Sequence, residues 1–81
     1  MKIEIKANIG DEIFFMHENK VTSSTVIDIS INIIGQKNLY NYTTITTIVY
    51  NTKRFIKILE ENAFLSKQEL LESLWASFIP N

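Results

Sequence analysis

The chain has no cysteine among its 81 residues, so neither a disulfide framework nor a thiolate metal site can add to its stability. Glycine occurs only at Gly10 and Gly35, which excludes a glycine-rich loop of the kind that cradles phosphate. There is no excess of either charge: eight basic and nine acidic residues leave a net charge of -1. A nucleic-acid binder is expected to show a basic surplus, because its affinity comes from Lys and Arg displacing counterions. A DNA mimic would show the reverse. No apolar run approaches the roughly 20 residues of a membrane helix. At the N-terminus, Met1-Lys2-Ile3-Glu4-Ile5-Lys6 alternates charge with isoleucine where a signal peptide would be continuously apolar. The expectation is a soluble chain of the cytoplasm with no membrane contact. Its length suits one core, and a domain this small buries only about 60% of its unfolded surface, so it needs tight packing or a partner.

What is present is mainly β pattern. Ile3, Ile5, Ala7 and Ile9 alternate with Lys2, Glu4, Lys6 and Asn8, the period of a half-buried strand. Gly10-Asp11 reads as a turn, and Glu12 to His17 as a second strand with Ile13 and Phe15 facing the core. Glu18-Asn19-Lys20 is a polar hinge that suggests a hairpin. From Val21 to Ile34 the residues Ile27, Ile29, Ile31 and Ile33 share one face, opposite Asp28, Ser30 and Asn32. Gly35-Gln36-Lys37-Asn38 carries turn chemistry, and Leu39 to Tyr50 is crowded with β-formers. Arg54 to Leu59 fits either helix or strand spacing; a strand is favoured because a closed sheet otherwise lacks its last member.

The C-terminus reads as a helix over residues 66–79. Ser66-Lys67-Gln68-Glu69 matches a capping box, with Phe64 or Leu65 available as a hydrophobic staple. Leu70, Leu71, Leu74, Trp75, Phe78 and Ile79 form a wide apolar stripe, and Pro80 stops it. The chain is thus expected to form a single domain over 1–81, with a β part over 1–62.

Gly10-Asp11-Glu12-Ile13-Phe14-Phe15 is similar to the Gly-Asp-x-Val/Ile-x-Phe turn and strand of small SH3-like barrels, including KOW and Tudor-type relatives. Phe64-Leu65-Ser66-Lys67-Gln68-Glu69-Leu70-Leu71 resembles a phrase found in small barrels of phages and mobile elements. The resemblance implies a five-stranded SH3-like barrel, or a strongly bent antiparallel sheet, with one C-terminal α-helix. It implies no activity, since small barrels host many functions.

Candidate chemistry is sparse. His17 is the only histidine, too little for a metal site and without a partner for acid–base work. Asp11-Glu12 would point to opposite faces of a strand, as would Glu60-Glu61 if extended, so a paired-carboxylate mechanism is not expected. No cofactor is expected. Tyr40, Tyr42 and Tyr50 share parity on one strand and suggest an aromatic platform for a protein, a peptide or single-stranded nucleic acid. The plainer reading has them packing over a sheet edge. Trp75 and Phe78 either plug the barrel end or extend a partner surface. Between Val21 and Thr52 only Asp28 and Lys37 are charged, so two neighbouring strands lack the usual guards against edge pairing. The expectation is a non-enzymatic accessory protein of a phage or mobile element that binds a host protein, for example an anti-CRISPR-like inhibitor of host defence. The alternatives are a nucleic-acid-binding barrel using Lys37, Lys53 and Arg54, and a self-associating component such as a homodimer.

Overall fold

A computed structural model describes residues 3–78, and for residues 77 and 78 the backbone alone. The period-two segments become an antiparallel meander. Its strands are β1 (Glu12–His17), β2 (Lys20–Lys37), β3 (Tyr42–Thr52) and β4 (Lys57–Leu59), hydrogen-bonded in that order. A short 3₁₀ turn over Glu60–Asn62 and the helix α1 (Lys67–Phe78) complete the chain.

The result is mainly β with a C-terminal helix, but the sheet is open and has four strands among the described residues. It is not the closed five-stranded barrel that the resemblance implied. The missing strand is Ile3–Ile9, whose alternation is real but whose backbone joins no ladder. The Lys6 and Ala7 N–H groups donate instead to the Tyr50 hydroxyl, at 3.1 Å each, so side chains take the place of a neighbouring strand.

Turn chemistry explains the hairpins. His17 faces Lys20 across a two-residue loop in which Glu18 and Asn19 both have positive φ (51° and 64°), the backbone of a type I′ turn. The β2–β3 loop lies further on than Gly35 suggested. Lys37 pairs with Tyr42, and the Asn38 side-chain oxygen accepts from the N–H groups of Tyr40 and Asn41 (3.2 and 2.7 Å), closing the turn as an Asx motif. Gly35 therefore sits inside β2, where the Tyr42 ring lies across it and leaves no room for a Cβ. Of the ambiguous Arg54–Leu59 segment, only Lys57–Leu59 is strand; Arg54 and Phe55 belong to the preceding turn.

A bulge shapes β2. Its register with β3 passes from Val26↔Thr52 to Asp28↔Asn51, leaving Ile27 as the extra residue. Val26 and Ile29 therefore share the core face, and Ile27, expected beside Ile29, turns outward. The core gathers Ala7, Ile13, Phe15, Val26, Ile48, Tyr50, Ile58 and Ala63. Half of the expected capping box forms: the Ser66 hydroxyl accepts from Glu69 N–H at 3.1 Å, while the Glu69 carboxylate accepts at 3.3 Å from Leu65 N–H, one residue before the cap. The helix buries Leu70, half-buries Leu74, and rests against β1. Ile79 and Pro80 lie outside the described residues.

Candidate functional site

The core occupies one end of the long β2–β3 ribbon. At the other end, residues 31–46 project as an arm in which every side chain is exposed. β1 pairs with β2 only from Lys20 to Thr25, and β4 pairs with β3 only from Val49 to Asn51. Among the described residues no third strand flanks the arm on either side. An isolated two-stranded ribbon is marginal in water, and this one shows apolar side chains on both faces. Ile31, Ile33 and Tyr42 lie on the face continuous with the core, and Ile34 and Ile45 oppose each other on the reverse. Leu39 and Tyr40 stand at the tip, 92% and 90% exposed. Lys37 is the arm's only charge.

This extension is visible in the whole molecule. The radius of gyration is 15.1 Å, against about 12 Å for a compact 81-residue domain. The chain exposes 6410 Å², where a compact monomer of its mass exposes roughly 5,000 Å².

The structure separates the three tyrosines. Tyr50 is fully buried in the core, Tyr42 packs over Gly35 while staying largely exposed, and Tyr40 is at the arm's tip. A platform of all three is not formed, because the strand that carries them passes from the core into solvent. On the helix, Trp75 is 67% exposed and so plugs nothing. With Leu71 and Leu74 it shares a helix surface that also carries Lys67, Gln68 and Glu72. The Phe78 side chain lies outside the described residues.

Comparison with protein-family models, with curated proteins and with solved structures found no match. The geometry is therefore the ground on which a functional reading stands.

Tyr50 anchors a hydrogen-bonded cluster at the base of the sheet with Lys6, Ala7 and Glu60. Its hydroxyl donates to Glu60 Oε2 at 2.8 Å and accepts from Lys6 and Ala7 N–H, which fills its hydrogen-bonding capacity. Lys6 N–H also reaches Glu60 Oε2 at 3.0 Å. The Lys6 ammonium donates to the carbonyls of Glu60 and Ala63 at 3.2 and 2.9 Å and sits 5.0 Å from the Phe64 ring centre. Burial pushes the Tyr50 phenol above its ordinary pKa, and the Glu60 carboxylate adds to that rise. A saturated, neutral phenol of this kind fastens the N-terminal segment to the sheet. The paired glutamates fall in the 3₁₀ turn rather than in a strand, and Glu60 acts as this latch's acceptor.

His17 is at the rim of the β1–β2 hairpin, 4.0 Å from the Glu18 carboxylate. No helix of the described residues is long and apolar enough to cross a membrane, and no group of three or more His, Asp or Glu side chains among them is arranged to hold a metal ion. Two exposed features escaped the sequence reading. One is Leu39 at the arm's tip. The other is Phe55, 86% exposed with φ 61°, between the cationic Arg54 and the strand β4. The Asn38–Asn41 spacing was the available signal for the first; nothing in the sequence marked the second.

Proposed function

We propose that this chain is a non-enzymatic interaction module that acts by lending its β2–β3 arm to another polypeptide. The observation that carries the reading is the arm itself: an unflanked ribbon with apolar side chains on both faces and a single charge. Such edges and faces attract further chains unless they are guarded, and strand addition is a standard way to occupy them. The resemblance to small phage and mobile-element barrels suggests a host protein as target, and inhibition of a host defence system is one concrete form. Tyr40 and Tyr42 on the arm and Trp75 on the helix surface are the contact residues proposed.

The test is arm-dependent capture. The immobilised protein and a variant carrying Ile33→Lys and Tyr40→Asp are presented to the same bacterial lysate. Retention of a protein by the first and not by the second supports the reading. Equal retention by both removes the arm from it.

A further inference from the structure

We infer that the arm's first occupant is a second copy of this chain, paired antiparallel along the open edge of β3 so that two sheets become one. This rests on the arm being the contact surface. Beyond the turn at Asn38–Asn41 the edge of β3 is unpaired, among the described residues, from Tyr42 to Ile48; β4 begins pairing at Val49, and the Glu60–Asn62 turn lies beside the Thr46–Ile48 end. The seven residues of this open edge span about 24 Å of strand.

Three observations favour self-pairing. The first is area. The chain exposes about 1,400 Å² beyond the roughly 5,000 Å² of a compact monomer of its mass. A stable interface takes about 800 Å² from each partner, and the excess, which is spread over the whole chain, is of that order. The second is charge. Tyr42–Ile48 contains no ionisable group except the Tyr42 phenol, and a two-fold axis at Ile45 carries Glu60 and Glu61, which border its Thr46–Ile48 end, to opposite ends of the pairing, so like charges do not face each other. The open stretch of β2 is different, since Asp28 and Lys37 stand at its two ends.

The third is fit. A two-fold axis perpendicular to the sheet must set some residue opposite its own copy, and Ile45 is the centre of the open edge. That register faces Ile45 with Ile45, Thr44 with Thr46, Thr43 with Thr47 and Tyr42 with Ile48. Ile, Thr and aromatic–β-branched pairs of this kind are favourable cross-strand neighbours. The residue opposite Val49 would be Asn41, already in the turn, so each mate's strand ends where β4 begins. The pairing uses the whole edge of both copies and closes on itself, as an isologous contact must.

Two matched variants test the register. T44K/T46K puts lysine opposite lysine at two places across the axis; T44K/T46E puts lysine opposite glutamate at the same places. Both alter the same exposed positions, and circular dichroism of each variant checks that the monomer's fold is kept. Sedimentation is measured from 5 to 500 µM. A wild-type dimer, kept by T44K/T46E and weakened at least tenfold in T44K/T46K, supports the inference. A wild-type monomer at 500 µM overturns it, as does equal weakening of both variants or growth beyond a dimer. If the chain is monomeric yet captures a lysate protein through the arm, the interaction reading survives and the second copy does not. If it is monomeric and capture ignores the arm, both fall.

Discussion

Replacing Tyr50 with Phe removes one oxygen and should loosen the whole N-terminal segment. That hydroxyl accepts from Lys6 and Ala7 N–H and donates to Glu60. Lys6 N–H keeps Glu60 as a second acceptor, but Ala7 is fully buried and Tyr50 is the partner its N–H uses. A stranded buried donor costs about 1–3 kcal/mol, and a bond to a carboxylate adds about 1–2 kcal/mol where, as here, the acid is half-buried and partly rehydrates. The expected loss is about 2–5 kcal/mol. For a domain this size that lowers Tm by roughly 10–30 °C. Thermal unfolding followed by circular dichroism measures it, and hydrogen exchange should show the Lys6 and Ala7 amides losing protection before the β2–β3 core pairs do. Tyr40→Phe, which removes the same atom at the exposed tip, is the control and should stay within about 0.5 kcal/mol. If the Tyr50 variant is as mild as the Tyr40 variant, the latch does not hold the segment and the reasoning fails.

Three further outcomes are expected. Because the Tyr50 phenol has a raised pKa in the folded state, the unfolded chain loses that proton first as pH rises. The phenol's contribution to stability is therefore complete below about pH 10 and falls from there upward, and Tyr50→Phe should flatten this slope in urea titrations compared pH by pH with the wild type. Phe55→Gly removes a left-handed backbone strain of about 1–2 kcal/mol at a side chain that buries almost nothing. After the entropic cost of glycine it should raise Tm by a few degrees; a lower Tm would show that the ring packs. Ser66→Ala removes the hydroxyl that caps α1 at Glu69 N–H and should cost about 1 kcal/mol in chemical denaturation, a loss that Ser66→Asp should not show.

Three things came directly from residue order. The helix cap at Ser66 and Glu69 is local chemistry, decided by which side chains sit three positions apart. The hairpin at Glu18-Asn19-Lys20 and the buried pair Ile13 and Phe15 are local in the same sense, because a polar break and a period of two leave few alternatives. It is the structure that shortens the loop to two residues and puts Lys20 in β2. The scarcity of charge between Val21 and Thr52, where only Asp28 and Lys37 are ionised, also belongs to the sequence.

Other features needed the fold. Ile3–Ile9 has strand alternation, yet it is held by Tyr50 and Glu60, residues more than 40 positions away whose role no periodicity records. Tyr40, Tyr42 and Tyr50 have equal parity, but parity gives only the face of a strand and says nothing of how far the neighbouring elements reach along it. β1 and β4 stop short, so Tyr50 is core and Tyr40 is solvent. A bulge at Ile27 reverses the face of one isoleucine for the same reason: register is set between strands. The sequence by itself determined the β1, β2 and β3 patterns, a hairpin at residues 18–20, the capped start of the helix and a ribbon with almost no charge. Only the tertiary structure decided that the sheet stays open and that the ribbon outruns its flanking strands, because both depend on where distant backbone groups find their hydrogen-bond partners.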